Sequence, residues 1–114
     1  MNLLMELVYK FKALADKTRL RIISLLFEKN LCVCEITDIL KMTQSRISRH
    51  LGILKQAGFI EEERKGKWVI YKISNRRNHL LSHIQRQLKN EPKYAADMAR
   101  MKKTLEKKLC PINN

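Results

Sequence analysis

The spacing of the apolar residues changes twice along this chain, and that pattern constrains the fold more than any other feature. Up to residue 57 the apolar side chains recur with the period of a helix, and from residue 78 the same period returns. Between these parts, residues 59–73 read as two short strands with Lys65-Gly66 as the turn between them. The pattern therefore predicts a mainly α fold with a small β-hairpin.

Capping residues mark where the predicted helices begin and end. Asp16 predicts the start of a helix over Lys17–Glu28, and Thr43 predicts the start of another over residues 44–57. Gly58 is suited to end that second helix. Four further helices are expected at residues 2–14, 34–41, 78–90 and 93–109, with Pro92 at the start of the last one.

A helix, a short turn, a second helix and then a hairpin is the order of a winged helix-turn-helix. Residues 34–57 would form the helix-turn-helix, and residues 59–73 would form the wing. The whole chain, residues 1–114, has the length of one such domain with a modest core. We therefore predict a single winged helix-turn-helix domain.

The helix predicted over residues 44–57 has the chemistry of a DNA-reading helix. Ile47 and Leu51 anchor one side to the core, which leaves Gln, Ser and Arg side chains free to face outward. Arg pairs with guanine, Gln pairs with adenine, and Ser bonds to bases or phosphate. Together with the basic hairpin tip, the predicted contacts to double-stranded DNA are Gln44, Ser45, Arg46, Ser48, Arg49, Arg64, Lys65 and Lys67.

The charge of the chain favours the same partner. There are 24 Lys and Arg against 11 Asp and Glu, and the net charge of +13 indicates a polyanion, with nucleic acid before an anionic membrane surface. No apolar run approaches the ~20 residues that span a bilayer, and the N-terminus lacks the basic head of a signal peptide. We therefore expect a cytoplasmic protein. The chain has three glycines, no phosphate-cradling loop and no paired carboxylates, which argues against an enzyme.

Residues 12–73 resemble the ArsR/SmtB family of metal-responsive repressors. The resemblance rests on segments at residues 13–22, 32–36, 44–51 and 66–71. It implies a homodimer that binds an inverted-repeat operator and leaves the DNA when an inducer binds. It also implies that His50 joins Ser48 at the DNA, and that the dimer is built on the first and last helices, residues 1–15 and 77–110. The apolar stripes of those helices independently favour dimerisation.

A Cys-Val-Cys sequence, with Cys32 and Cys34, stands where thiolate-sensing members of that family bind their inducer. The best-known arsenite repressors carry another cysteine three residues further on, where this chain has Thr37. Cys110 is therefore the candidate third ligand, from the same chain or from the dimer partner. As(III) and Sb(III) bind three thiolates, whereas Zn(II) and Cd(II) take four ligands. The three cysteines thus favour As(III) or Sb(III) as the inducer, with no organic cofactor.

The spacing of the two cysteines also suggests a mechanism. On a regular helix, residues two apart point about 200° away from each other, so Cys32 and Cys34 share an ion only where the chain is not helical. We therefore expect ligand binding to shift the first turn of the third helix. Because Cys34 lies near a helix N-terminus, we also expect it to be partly thiolate.

Three other functions stay open at this stage. The same cysteines would serve a thiol redox or sulfide-responsive repressor, or a Cd/Zn-responsive repressor. A constitutive DNA-organising protein with inert cysteines is the third. A zinc site built on His79 and His83 is poorly supported, because no acidic residue lies among them.

Overall fold

The structure is a computed structural model that describes residues 2–111. Within that range the chain forms six helices and three short strands, which confirms the predicted mainly α fold with a hairpin. In chain order the elements are α1 (Leu3–Leu14), α2 (Lys17–Glu28), β1 (Leu31–Cys32), α3 (Val33–Leu40), α4 (Gln44–Gln56), β2 (Ile60–Lys65), β3 (Trp68–Ile73), α5 (His79–Leu88) and α6 (Pro92–Glu106).

Three predicted helix boundaries are confirmed by the geometry of the caps. The Asp16 side chain accepts a hydrogen bond from the backbone N–H of Arg19 at 3.0 Å and caps α2. Thr43 accepts one from the backbone N–H of Arg46 at 3.4 Å and caps α4. Gly58 follows α4 with a φ of +85°, a conformation that glycine adopts without strain. These caps fix where α4 starts and stops.

The sheet has one strand more than the predicted hairpin. Its order is β1-β3-β2 and both pairings are antiparallel. Leu31 and Cys32 of β1 lie opposite Tyr71 and Ile70 of β3. A strand of two residues is too short to show alternation, so the sequence indicates only a linker at this point. The extra pairing matters because it places Cys32 against the middle of the sheet.

The hairpin turn is Gly66-Lys67 rather than the predicted Lys65-Gly66. Lys65 pairs with Trp68 and is the last residue of β2. Gly66 has a φ of +63°, which suits the first position of a two-residue hairpin turn. The shift leaves the basic side chains predicted for the wing at the hairpin tip.

The core is built around α2, which contributes Ile22, Ile23, Leu25 and Leu26 as fully buried side chains. These residues belong to one apolar cluster with side chains of α3, α4 and the sheet. The buried residues of α4 in this cluster are Ile47, Leu51 and Leu54. Because one side of α4 is held in the core, its opposite side is left to solvent.

Helix α6 packs within its own protomer. Arg21 of α2 donates two hydrogen bonds to the carboxylate of Asp97, each at 2.9 Å. The Thr104 hydroxyl donates one to Asp38 of α3 at 2.6 Å. Asp97 and Thr104 are both buried. The sequence predicts residues 77–110 as dimerisation helices, but this side of α6 is already covered by α2 and α3.

Helix α1 carries an apolar surface that the protomer leaves uncovered. Its exposed apolar side chains are Leu3, Leu4, Met5, Leu7, Val8, Tyr9 and Phe11. Phe11 also lines a cleft of about 390 Å³ with Leu80, Ile84 and Leu88 of α5. The exposed apolar side chains that a homodimer would cover are thus concentrated on α1, beside the cleft that α1 forms with α5.

Candidate nucleic-acid interface and thiol site

One face of α4 carries exposed polar and basic side chains. The opposite face is anchored by Ile47 and Leu51, which are fully buried. The exposed residues in the first two turns are Gln44, Ser45, Arg46, Ser48 and Arg49. In helix-turn-helix proteins the N-terminal residues of the second helix reach the base edges. This face of α4 therefore has the chemistry and the exposure that a major groove requires.

The structure corrects the prediction that His50 lies at the DNA. The residue is only 5% exposed, because it follows Ile47 by three positions and shares its buried side of α4. Arg19 Nη1 lies 3.0 Å from His50 Nδ1, and Asp16 Oδ1 lies 4.0 Å from the same atom. Burial lowers the pKa of His50 most, and the positive charge of Arg19 lowers it further against the opposing charge of Asp16. The ring is therefore neutral at pH 7 and accepts the hydrogen bond of Arg19.

The tip of the wing is basic and exposed. Arg64, Lys65 and Lys67 face solvent, and Lys67 Nζ lies 5.8 Å from the centroid of the Trp68 ring. The three glutamates of β2 are exposed too, and each lies beside a lysine. The pairs are Glu61–Lys72 at 3.4 Å, Glu63–Lys72 at 3.9 Å, and Glu62–Lys55. The acidic charge is thus offset locally, and the tip stays positive.

Cys110 lies beside Cys32 of the same chain. The two residues form a disulfide with their Cα atoms 6.5 Å apart, and both are buried. Lys108 follows α6 with a left-handed φ of 54°, as residues that end a helix often do, and the chain then returns to the sheet. The sequence leaves open which subunit would supply Cys110, and in this structure the same chain brings it to Cys32.

Glu35 forms a small buried cluster with these two cysteines. Its carboxylate and the two sulfur atoms lie within 4.8 Å of one another. Glu35 also accepts a hydrogen bond from the backbone N–H of Cys32 at 2.8 Å, which caps α3. Within residues 2–111 no second group of three such side chains is this close, so His79 and His83 are not part of one. Sequence reasoning missed Glu35, although its position three residues after a capping residue was a usable signal.

Cys34 is a free, half-buried thiol in the first turn of α3. It packs against Cys32 and Cys110 but is not a member of the cluster that they form with Glu35. Burial raises the pKa of Cys34, and the negative charge of Glu35 raises it further. The prediction of a partly ionised thiolate is therefore wrong for this conformation, because the loss of hydration outweighs the helix N-terminus.

A cleft of about 320 Å³ joins the thiols to the DNA-reading residues. Its lining includes Cys32, Cys34 and Trp68 together with Gln44 and Lys67. Gln44 begins α4, and Lys67 stands in the wing turn. The cleft depends on the pairing of β1 with β3, which the sequence does not reveal. A ligand bound at Cys34 would share this space with two predicted DNA contacts.

Comparison with known proteins identifies the family. Residues 16–62 match the profile described as bacterial regulatory protein, arsR family. The arsenical resistance operon repressor of Bacillus subtilis is 45% identical over 83 residues, which cover 71% of this chain and 79% of that protein. This chain belongs to the ArsR family. ArsR-family proteins are winged-helix DNA-binding regulators rather than enzymes, in agreement with the sequence-based expectation.

Other relatives in the ArsR family are covered less completely. The arsenical resistance operon repressor of Escherichia coli is 48% identical over 65 residues, which cover 56% of this chain and 56% of that protein. The regulator ArsR1 of Pseudomonas putida is 50% identical over 64 residues, which cover 55% of this chain and 50% of that protein. The chain spans about half the length of these two relatives. Another relative, from Mycobacterium tuberculosis, is the repressor SmtB, at 41% identity over 73 residues, 64% of this chain and 52% of that protein.

Solved structures show the same winged-helix architecture as this ArsR-family chain. The homodimeric DNA-binding domain of Mb0332 from Mycobacterium bovis superposes with a TM-score of 0.70 at 28% identity and covers 79% of this chain and 84% of that one. Reduced HlyU from Vibrio cholerae gives a TM-score of 0.67 at 26% identity, and the match covers 77% of this chain and 90% of that one.

Among the described residues, no helix is long and apolar enough to span a bilayer.

Proposed function

We propose that this chain is a homodimeric transcriptional repressor that leaves its operator when As(III) or Sb(III) binds to Cys32, Cys34 and Cys110. The observation that carries the proposal is the position of Cys110 beside Cys32, at a cleft that Gln44 and Lys67 also line. Ion binding and DNA reading would then meet in one place.

The DNA-binding part of the proposal rests on exposure and charge. Gln44, Ser45, Arg46, Ser48 and Arg49 are the proposed contacts in the major groove, and Arg64, Lys65 and Lys67 are those of the wing. In a homodimer formed through α1, the two copies of α4 would read the halves of an inverted repeat about 34 Å apart. With a net charge of +13 per chain, binding should weaken steeply as the salt concentration rises.

The three sulfur atoms would suit an ion bound by three thiolates if the start of α3 moved. In the reduced protein, Cys32 and Cys110 offer two neighbouring sulfur atoms. Cys34 is the third donor, but it lies in the first turn of α3 and outside their cluster. To reach a shared ion it must move, and the hydrogen bond from Cys32 N–H to Glu35, at 2.8 Å, holds that turn in place. We infer that ligation breaks this cap and shifts the start of α3.

Such a shift would displace the DNA-reading side chains of α4, because α3 packs directly against α4. A coupling free energy of about 1–3 kcal/mol between the two sites would weaken operator binding about 5- to 150-fold. By linkage, operator DNA would weaken ion binding by the same factor.

A redox- or sulfide-responsive repressor is the second candidate, and the Cys32–Cys110 disulfide favours it. In that reaction two thiols lose two protons and two electrons as the S–S bond forms, and hydrogen peroxide accepts them and becomes two water molecules. The bond would join the start of α3 to the end of α6. A Cd(II) or Zn(II) sensor is the third candidate, because the Glu35 carboxylate adds an oxygen donor to two sulfur atoms.

One experiment separates these candidates. An operator is selected from a pool of random duplexes with the reduced protein, and its release is followed by fluorescence anisotropy. The added reagents are As(III), Sb(III), Cd(II), Zn(II), a peroxide and a polysulfide. The variants are Cys32→Ser, Cys34→Ser and Cys110→Ser, with Glu35→Gln as the test of the carboxylate.

The pattern of loss identifies the sensor. Release by As(III) that disappears in all three serine variants supports the proposal, and release that survives in Cys34→Ser contradicts the trithiolate site. Release by peroxide or polysulfide that needs Cys32 and Cys110 but not Cys34 supports the redox candidate. Release by Cd(II) or Zn(II) that Glu35→Gln weakens supports the third. A protein that no reagent releases is a constitutive DNA-binding protein.

A further inference from the structure

A cluster of cations lies where α6 meets the C-terminal end of α3. It surrounds Asp38, a residue in the last turn of α3. Lys41, Arg100, Lys103 and Lys107 line a cleft of about 290 Å³ here, together with Asp38 and Thr104. Four cations around one carboxylate leave a positive surface. Three of these cations belong to α6 or follow it, beyond the residues 16–62 that match the family profile.

The contacts of Asp38 hold this surface together. Lys107 Nζ lies 3.1 and 3.0 Å from the two carboxylate oxygens of Asp38, and the Thr104 hydroxyl donates to one of them at 2.6 Å. Lys41 Nζ lies 3.6 Å from the same carboxylate. The side chains of Lys41 and Lys107 remain 63% and 48% exposed, so both still face solvent. Asp38 therefore positions two lysines without removing them from the surface.

The place of this surface relative to DNA follows from the helix-turn-helix. The first helix of that motif crosses the DNA backbone while the second enters the major groove. Here α3 is the first helix, and Lys41 lies in the turn, two residues before the cap Thr43. Thr104 of α6 and Lys107 contact Asp38 near the C-terminal end of α3. The lysines of this region therefore lie beside the turn of the helix-turn-helix, which approaches the DNA phosphates.

We propose that Lys41, Arg100, Lys103 and Lys107 form a phosphate-binding surface that extends the DNA interface beyond α4 and the wing. The inference rests on the proposed DNA-binding function and adds a second contact with the backbone beside each half-site. Lysine and arginine on phosphate position a protein without reading sequence. The surface should therefore add affinity and salt dependence, and leave the choice of operator unchanged.

The test compares two variants that lose the same charge. Lys41→Gln/Lys103→Gln removes two cations from the surface. Lys89→Gln/Lys93→Gln removes two exposed cations, one directly after α5 and one in the first turn of α6, and is the matched control. Binding to a random-sequence duplex of about 30 base pairs is measured by anisotropy between about 50 and 200 mM NaCl, the range in which counterion release dominates.

The expected result is a change of slope in the test variant. Each lost phosphate contact lowers the slope of log K against log salt by about 0.9, so two contacts lower it by about 1.8. At about 0.1 M salt the same two contacts correspond to roughly 60-fold in affinity. The control should keep the slope of the wild type. Lys103→Arg, with Lys41 unchanged, keeps both charges and should keep the slope of the wild type.

If the test and control variants show the same reduced slope, net charge alone explains the effect and the proposed phosphate-binding surface is wrong. If the wild type binds DNA with a steep salt dependence and both variants keep its slope, the surface is also wrong, but the proposed DNA-binding function stands. A wild-type protein that binds no duplex at all overturns the proposed function itself. Circular dichroism spectra confirm that each variant is folded.

Discussion

Arg19 holds His50 against the end of α1. Its Nη1 atom lies 3.0 Å from His50 Nδ1, its Nε donates to the Ala13 carbonyl at 2.6 Å, and its Nη2 donates to the Lys12 carbonyl at 3.3 Å. One guanidinium therefore joins the end of α1, the start of α2 and the buried side of α4. Since α1 carries the exposed apolar surface and α4 carries the polar face, Arg19 connects the proposed dimer surface to the proposed DNA surface.

This contact predicts that stability falls in mild acid. The folded state lowers the pKa of His50 below the ordinary value of 6.5, so the unfolded chain binds a proton first as the pH falls. The contribution of His50 is complete above that value and is lost as the pH drops below it. Urea unfolding at about pH 7.5 and about pH 5.5 measures the loss.

His50→Asn is the control for this prediction, because an amide oxygen can accept the Arg19 hydrogen bond and does not titrate. We expect the variant to lose less stability than the wild type between the two pH values. If both proteins lose the same amount, groups other than His50 cause the acid sensitivity.

Thr37→Cys should provide a new third ligand for As(III). Thr37 follows Cys34 by three residues on the same side of α3. Its hydroxyl oxygen is buried and has no hydrogen-bond partner among the described residues, so the substitution breaks no bond there. In Thr37→Cys/Cys110→Ser we expect As(III) to bind at least about tenfold more tightly, or about 1.4 kcal/mol, than in Cys110→Ser.

Operator release and the absorbance of the As–thiolate bonds both report this binding. Thr37→Ser/Cys110→Ser is the matched control, because it keeps a hydroxyl where the test variant gains a thiol. Equal As(III) affinities in the two double variants would show that position 37 cannot reach the ion.

Leu7→Glu should weaken the homodimer and spare the protomer. Leu7 is 53% exposed on α1, so a carboxylate there meets water in the monomer but apolar surface in a dimer formed through α1. In a dimer each protomer loses the burial of one leucine. Each loss costs about 2 kcal/mol, which corresponds to roughly 30-fold in the dissociation constant. Sedimentation velocity measures the dimer, and thermal unfolding checks the fold. Lys10→Glu, on the same helix, is the charge control, and dimers that resist Leu7→Glu would place the interface elsewhere.

Asp97→Ala should destabilise the docking of α6. Asp97 is 3% exposed, and its loss leaves the Arg21 guanidinium, itself 18% exposed, without its partner. Removing one member of a buried ion pair typically costs about 3–5 kcal/mol. Chemical denaturation measures this free energy, with Glu106→Ala on the exposed side of α6 as the control. A loss below about 1 kcal/mol would mean that the pair contributes little more than a surface ion pair.

Local chemistry predicts much of this fold from the sequence. Asp16, Thr43 and Gly58 act on backbone groups within three or four residues of themselves, so their positions alone mark the helix ends. The DNA-reading face of α4 follows in the same way from the spacing of Ile47 and Leu51. For His50 this helical spacing predicts burial, because a residue three positions after Ile47 shares its buried side, whereas the family resemblance implied a place at the DNA.

The contacts that bring distant segments together could not be read in this way. Arg21 and Asp97 are separated by 76 residues, and their pairing joins α6 to α2. The two-residue strand β1 exists only because β3 offers it a partner. The same is true of the proposed thiol site, since the approach of Cys110 to Cys32 depends on where α6 ends and not on any motif around either cysteine.

The Cys32–Cys110 bond closes a loop over a separation of 78 residues, and every residue proposed to touch DNA lies inside it. Helices α1 and α2 lie outside. In the oxidised protein the DNA-reading elements thus lie within one covalently closed loop, and the backbone of α1 and α2 enters that loop only at Cys32. Closing a loop of this length restrains the unfolded chain by about 4.5 kcal/mol in the chain-entropy model. Oxidation would therefore stabilise the folded protein against unfolding, through a restraint that spans all of the proposed DNA contacts and leaves α1 and α2 outside the closed loop.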